Sequence, residues 1–371
     1  MAKNTKKKKQ KSSSVSGGLK YIIIIAVLAV VGYLAYVKRN DILLFLTGSN
    51  RTSNTSEVKI IIPDGLSTDS LAGFLVSKNI LDDKKGFVRQ MEKLQLSASD
   101  LDGGKYAVLS GTKVNDFIDG MRRMENGHGK NELKVKVVFN RCRFIEDIGK
   151  NISLCIEADS ASIVDYIKSP KALRQYNFTQ EQIPALFIPK EYEMYYDTDA
   201  EEFVSIMAEE FKKFWTEERK QKVRDIGLKF PSQAVTLASI VYSEQSRVKE
   251  EWPIIARLYL NRVNIGMKLQ SDPTFKFCWG TKLDKEQRLT GIHRAIACKY
   301  NTYQIQGLPP GPICLVNEEV LDAVLNPDKN NYLFMCAQTN YTGKHDFTAS
   351  DVQHMKNAAI YQKWLKEQIK K

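Results

Sequence analysis

The chemistry this sequence can offer centres on one acid. Between Pro231 and Thr274, Leu237, Ile240, Val241 and Glu244 fall at i, i+3, i+4 and i+7. On a helix that spacing sets a carboxylate in line with an apolar stripe rather than on the wet face. A partly dry carboxyl favours its neutral form, and an acid still protonated near neutral pH is what general-acid cleavage of a glycosidic bond requires. Glu244 is therefore the candidate catalytic acid. The same spacing also lets Glu244 simply end the helix and pair with Arg247 or Lys249.

Several elements must position that acid. Pro231 and Ser232 open the first helix with a breaker and a cap-like residue. A second apolar periodicity, Ile254, Ile255, Leu258, Tyr259 and Val263, predicts another helix, with Asn261 and Arg262 in its last turn. Gly266 and Pro273 then punctuate a polar stretch holding Gln270, Ser271, Asp272 and Thr274, which reads as a cleft loop or as a plain turn. Downstream, YNTYQIQGLPPGP (300–312) cannot be helix. Its prolines stiffen a segment in which Asn301, Thr302, Tyr303 and Gln304 supply donors and acceptors, as a sugar-binding wall or a structural crossover would.

Three of these segments, LASIVYSEQ (237–245), NRVNIGMKLQSDPT (261–274) and YNTYQIQGLPPGPI (300–313), occur in that order. Together they resemble the endolytic murein transglycosylases of the MltG (YceG-like) family. In that family the helix motif carries two acids, of which the second is taken as catalytic and matches Glu244; Tyr242 stands in place of the first. The resemblance implies a lytic transglycosylase that cleaves the bond between N-acetylmuramic acid and N-acetylglucosamine within peptidoglycan strands, leaves 1,6-anhydro ends and so terminates glycan elongation. It implies Glu244 as the catalyst, and Asn261, Gln270, Asp272, Thr274, Asn301, Thr302 and Tyr303 as substrate-binding residues. Tyr192, in the aromatic run LFIPKEYEMYY (186–196), is a further candidate, since sugars pack on aromatic faces. His345 and His354 match two family histidines and are expected to hold structure. The rival class is a non-enzymatic, membrane-anchored glycan-binding or scaffold protein of cell-wall synthesis.

The chain has 371 residues, a net charge of +12 and 43% hydrophobic residues, enough for a core and more than one domain. The charge is local: seven lysines in the first twenty residues, with Lys38 and Arg39, account for nine of the twelve. No basic–aromatic module appears, so nucleic acid is not an expected partner. Between the two basic clusters, Tyr21 to Val37 runs 17 residues without a charge. That is near the lower length limit for a membrane span, and the lysines predict a cytoplasmic N-terminus.

The expected class is α+β. A Lys-rich tail (1–19), a single transmembrane helix (20–40) and a linker (41–56) precede a small α/β module (57–130). A larger mixed α/β catalytic domain (131–371) follows. The small module, with GKYAVLSGTKVNDFIDGM within it, resembles the family's LysM-like domain, a type that binds N-acetylglucosamine polymers. The expected partners are peptidoglycan strands, the inner (cytoplasmic) membrane and cell-wall synthases such as penicillin-binding proteins, with the catalytic domain outside the cytoplasm. Six cysteines without CxxC spacing, and four histidines, point away from zinc. No cofactor or metal is expected, and the cysteines read either as buried thiols or as one or more bridges in an oxidising compartment.

Overall fold

In the computed structural model of the chain, residues 17–37, 51–140, 142–284 and 290–369 are described. Gly17–Val37 forms one helix, with Ile25 and Leu28 exposed. Part of its side chains lie outside the described residues, and among those described no helix is long and apolar enough to cross a membrane. Most of the Lys-rich tail and the first part of the expected linker also lie outside the described residues.

The chain divides into two compact units, 1–133 and 134–371. In the first, β1 (Val58–Ile62) pairs antiparallel with β2 (Gly104–Val108), Val58 opposite Val108. Ile60 and Ile62 face inward, as do Tyr106 and Val108, the period-two alternation of a half-buried sheet. The helices Thr68–Ser77, Lys84–Lys93 and Val114–Gly120 close over that face with Leu71, Leu75, Phe87, Met91, Phe117 and Ile118. The first begins at Thr68 because Ser67 accepts a hydrogen bond from the Ser70 amide and satisfies an otherwise unpaired donor.

The second unit holds two hydrophobic clusters. One forms around β3 (Lys134–Val138) and its antiparallel partner β4 (Glu191–Tyr195). Val135 and Val137 point in while the alternating lysines point out, and Phe139, Phe187 and Phe203 fill the space behind. The helices Ile145–Ile152 and Ser160–Lys168 flank Asp159, whose carboxylate caps the second through the Ala161 and Ser162 amides. The helix Glu217–Asp225 was not legible: EERKQKVRD has no apolar stripe, and it is set by the Thr216 cap and the burial of Val223.

The other cluster surrounds Pro231–Glu244, the predicted acid-bearing helix. Ala234, Leu237, Ala238, Ile240 and Val241 are almost fully enclosed; full burial is worth about 1.5–3 kcal/mol for each of the larger side chains. Trp252–Asn264 and Glu318–Leu325 pack on it and on each other. β5 (Phe334–Ala337) pairs with β6 (His345–Thr348), Ala337 opposite His345, and the helix Asp351–Ile369 lies against both strands. YLFMCA (332–337) reads from sequence as a buried strand. Phe334–Ala337 is instead half-buried, because it lines a cavity.

One disulfide, Cys278–Cys298, closes a loop with a sequence separation of 20 residues. Cys142, Cys155, Cys314 and Cys336 are free. Burial pushes the Cys142 and Cys314 thiols up to about 11, which makes them poor nucleophiles at neutral pH. Removing the bridge by Cys278→Ser with Cys298→Ser, or by reduction, is expected to cost about 3 kcal/mol in the chain-entropy picture. Thermal unfolding with and without dithiothreitol measures it; an unchanged midpoint rules it out.

Candidate active site

Glu244 is the last residue of its helix, and Gln245 follows as the C-cap. The end is fixed by Gln245, which is buried. The Gln245 side chain donates to Glu251 Oε2 (2.9 Å) and to the Gly343 carbonyl (2.8 Å), its Oε1 accepts from the Arg247 and Val248 amides, and its carbonyl accepts from Trp252 Nε1 (2.6 Å). The chain therefore turns sharply after the acid, and the acid's side chain enters a cavity of about 460 Å³.

Two hydroxyls hold the carboxyl group. Tyr259, on the helix Trp252–Asn264, donates to Glu244 Oε1 at 2.8 Å, and Ser271 donates to the same oxygen at 2.5 Å. With Oε1 accepting twice, the acidic proton belongs on Oε2. Burial raises the Glu244 carboxyl above the ordinary carboxylate range; the Ser271 and Tyr259 hydrogen bonds and His345 oppose that rise, while Asp272 adds to it. The C-terminal end of the helix dipole acts in the same direction as burial. The result is a carboxyl group that holds its proton more tightly than usual, with Oε2 the oxygen free to carry it.

The wall opposite comes from the two loops. Asp272, at the start of the short helix Asp272–Cys278, accepts from Tyr303 Oη (2.6 Å) and faces Arg294 (3.3 Å). Burial raises the Tyr303 phenol, and its hydrogen bond to Asp272 adds to that; the bond to Asp272 likewise raises Arg294. The floor hangs on Arg262, whose guanidinium donates to the Leu333 carbonyl (2.6 Å) and the Leu269 carbonyl (2.7 Å), tying the Gln270 loop to β5. Gln270 has φ +50°, a left-handed turn that brings Ser271 round to the acid.

Residues 60–360 match the model of the YceG-like family. The chain belongs to the YceG-like family. Its sequence is 24% identical over 323 residues to an endolytic murein transglycosylase of Bacillus subtilis, covering 82% of this chain and 84% of that one. It is 22% identical over 368 residues to an endolytic murein transglycosylase of Streptococcus pneumoniae, covering 92% of this chain and 64% of the pneumococcal one. The fold matches the crystal structure of a YceG-like protein from Listeria monocytogenes with a TM-score of 0.52 at 21% identity, over 82% of this chain and 99% of that one.

In this YceG-like chain the expected site residues separate into two groups. Glu244, Gln270, Asp272 and Tyr303 line the cavity. Thr274, Asn301 and Thr302 are fully buried behind it. Thr302 Oγ1 accepts from the Ser271 amide (2.9 Å) and meets Thr274 Oγ1 (2.8 Å), while Asn301 Nδ2 donates to the Arg294 (2.9 Å) and Ile296 (2.8 Å) carbonyls. These bonds shape the two loops. Asn261 donates to the Asn330 and Tyr332 carbonyls, both at 3.1 Å, and so anchors the approach to β5. Tyr192 lies in the other cluster: it is buried, donates to the Ile188 carbonyl and stacks on Phe139, because its strand turns that face to the core.

His345 and His354, expected to be structural, both line the cavity. Tyr259, Arg262 and Arg294 are not among the site residues expected from the sequence, although they line the cavity. Tyr259 sits on an apolar periodicity that hides its hydroxyl, and no local pattern marks the arginines. Removing one of the two hydroxyls, by Tyr259→Phe or Ser271→Ala, withdraws a donor that favours the charged carboxylate. The alkaline limb of kcat/KM, set by loss of the Glu244 proton, then moves to higher pH, and kcat drops by about tenfold, the worth of a hydrogen bond to a charged group. A pH–rate profile with an unmoved alkaline limb would refute the assignment.

Proposed function

We propose that this YceG-like protein is a lytic transglycosylase that cleaves peptidoglycan strands internally. The observation that carries the reading is Glu244, an acid raised by burial whose Oε1 is occupied by Tyr259 and Ser271, leaving Oε2 to deliver a proton into a cavity. Oε2 protonates the oxygen bridging N-acetylmuramic acid to N-acetylglucosamine, and the bond to the anomeric carbon breaks. A hydrolase then needs a second carboxylate as nucleophile or as base for a positioned water. Asp272, a carboxylate on the cavity wall, has its oxygens engaged by Tyr303 and Arg294. The C6 hydroxyl of the muramic acid residue attacks instead, closing a 1,6-anhydro ring. An intramolecular nucleophile has a high effective concentration and needs no ordered water.

Digestion of purified glycan strands with mass analysis tests this. Chain ends one water lighter than hydrolysis products are expected. Reducing ends would mean a hydrolase with Asp272 promoted to catalyst, and binding without turnover would mean a scaffold protein.

The chain is read as anchored in the cytoplasmic membrane by Gly17–Val37, with its Lys-rich tail inside and both units outside. The basic tail, the uncharged run and the Cys278–Cys298 bridge, which suits an oxidising compartment, support this. The first unit is read as a LysM-like glycan contact, and cell-wall synthases as partners that such cleavage would serve.

A further inference from the structure

We infer that a second cavity, at the N-terminal end of the acid-bearing helix, binds the terminal carboxylate of a short peptide of the kind that peptidoglycan strands carry. It has a volume of about 410 Å³ and lies within the second unit. The link to peptidoglycan rests on the transglycosylase reading; the carboxylate site rests on the cavity alone.

The helix Pro231–Glu244 begins without a side-chain cap. Phe230 stands at the N-cap, and the first turn holds no acid. Such an end presents amides without acceptors and about half a positive charge. Pro231 has no amide hydrogen, and the Gln233 amide donates to the Phe230 carbonyl (3.0 Å). Ser232 is left. It is 7% exposed and lines the cavity. Its carbonyl accepts from Thr236 Oγ1 (2.8 Å), but among the described residues its amide and its hydroxyl have no acceptor. Two donors withdrawn from bulk water at the positive end of a helix suit an anion.

The lining decides which anion. No Lys, Arg, Asp or Glu is among the described residues that form it. One helix end matches a single negative charge and leaves a phosphate dianion under-compensated. Phe178, Phe211 and Phe230 supply the apolar wall, with Phe178 edge-on to Phe211 at 5.7 Å between centroids. Asn177 and Gln182 stand beside them. Gln182 Oε1 accepts the Thr179 amide (3.2 Å), and its Nε2 is a donor for a ligand carbonyl. Small apolar side chains against the rings, peptide groups against the two amides and a carboxylate at Ser232 describe the end of a short peptide. An alkyl chain would leave both amides unserved. The helix has 14 residues, so this site lies about 20 Å along it from Glu244. Binding here holds a strand without entering the reaction.

The test uses the full-length protein in detergent, with N-acetyl-D-alanyl-D-alanine as the probe and saturation-transfer NMR as the readout. Saturable binding is expected, with the C-terminal amide of the same peptide and inorganic phosphate each weaker by about tenfold or more, the worth of hydrogen bonds to a charged group. Ser232→Ala should weaken the acid by about tenfold. Ser232→Asp places a carboxylate where the ligand's would lie. It should abolish binding while the melting temperature holds or rises, because an acid in a first turn is favourable. It should also raise the KM of peptide-bearing strands more than that of peptide-free strands. No binding by the parent, equal binding of acid and amide, a Ser232→Asp variant melting well below the parent, or equal KM changes for the two kinds of strand overturns the inference. If the probe binds and no strand is cleaved, only the transglycosylase reading fails; if strands give anhydro ends and the probe does not bind, only this inference fails.

Discussion

Glu244→Gln should lose turnover by roughly a thousandfold or more, the upper range for a positioned acid, while keeping its fold. Glutamine fills the same space and its amide oxygen can still accept from Tyr259 and Ser271, so the helix end, the Gln245 turn and the cavity remain. What disappears is the proton. Stability supplies an independent check. The folded chain raises the Glu244 carboxyl above its unfolded value of about 4.3. Such a group favours the folded state fully below the unfolded value, and that contribution is lost as pH rises through the raised folded value. The parent therefore carries a cost at neutral pH that the glutamine variant lacks. The variant should melt at the same temperature as the parent or higher at pH 7, and its advantage should vanish in acid. Cleavage by the purified variant, or a variant melting well below the parent at pH 7, contradicts the assignment.

Arg262→Met should be the most destabilising single change near the cavity, by about 3–5 kcal/mol, the cost of leaving buried polar groups unpaired. Arg262 is 7% exposed, and its guanidinium holds the Leu333 and Leu269 carbonyls while lying over the Phe334 ring. Burial lowers its affinity for its proton, but the carbonyls it serves have no other donor in reach among the hydrogen bonds described. Methionine matches the stem and supplies nothing to either oxygen. Lysine, a point charge without the planar fork, should recover only part of the loss. Urea unfolding measures it; a change under about 1 kcal/mol would mean that these contacts contribute little. The same variant should lose activity beyond its loss of folded protein, since the Gln270 loop that carries Ser271 hangs on this side chain.

Much of the site could be read from the sequence because it is written in short segments. The apolar spacing ending at Glu244 marked both the helix and the acid, and the Gly266 and Pro273 punctuation marked the loop that brings Ser271 and Asp272 to it. The polar segment at Asn301–Tyr303 was legible as a site element, but not how its members divide. Tyr303 faces the cavity, whereas Asn301 and Thr302 serve the backbone behind it. Residue type does not distinguish a hydroxyl or amide that meets substrate from one that meets a carbonyl. Tyr192 shows the same limit: an aromatic beside a proline suits a sugar platform, but its register in β4 turns it into the core.

The sequence by itself determined the α+β class, the charge segregation at the N-terminus, the acid-bearing helix and the candidate acid, since each depends on composition or on periodicities within about fifteen residues. Tertiary structure alone decided that two hydroxyls share Oε1 of Glu244, that Arg262 ties the loop to β5, that Glu251 orients His345, and that Cys278 joins Cys298 while four thiols stay free. Those contacts join residues from 15 to 94 positions apart. Their existence depends on how buried helices pack and on which donors are left without water, and no local pattern encodes that.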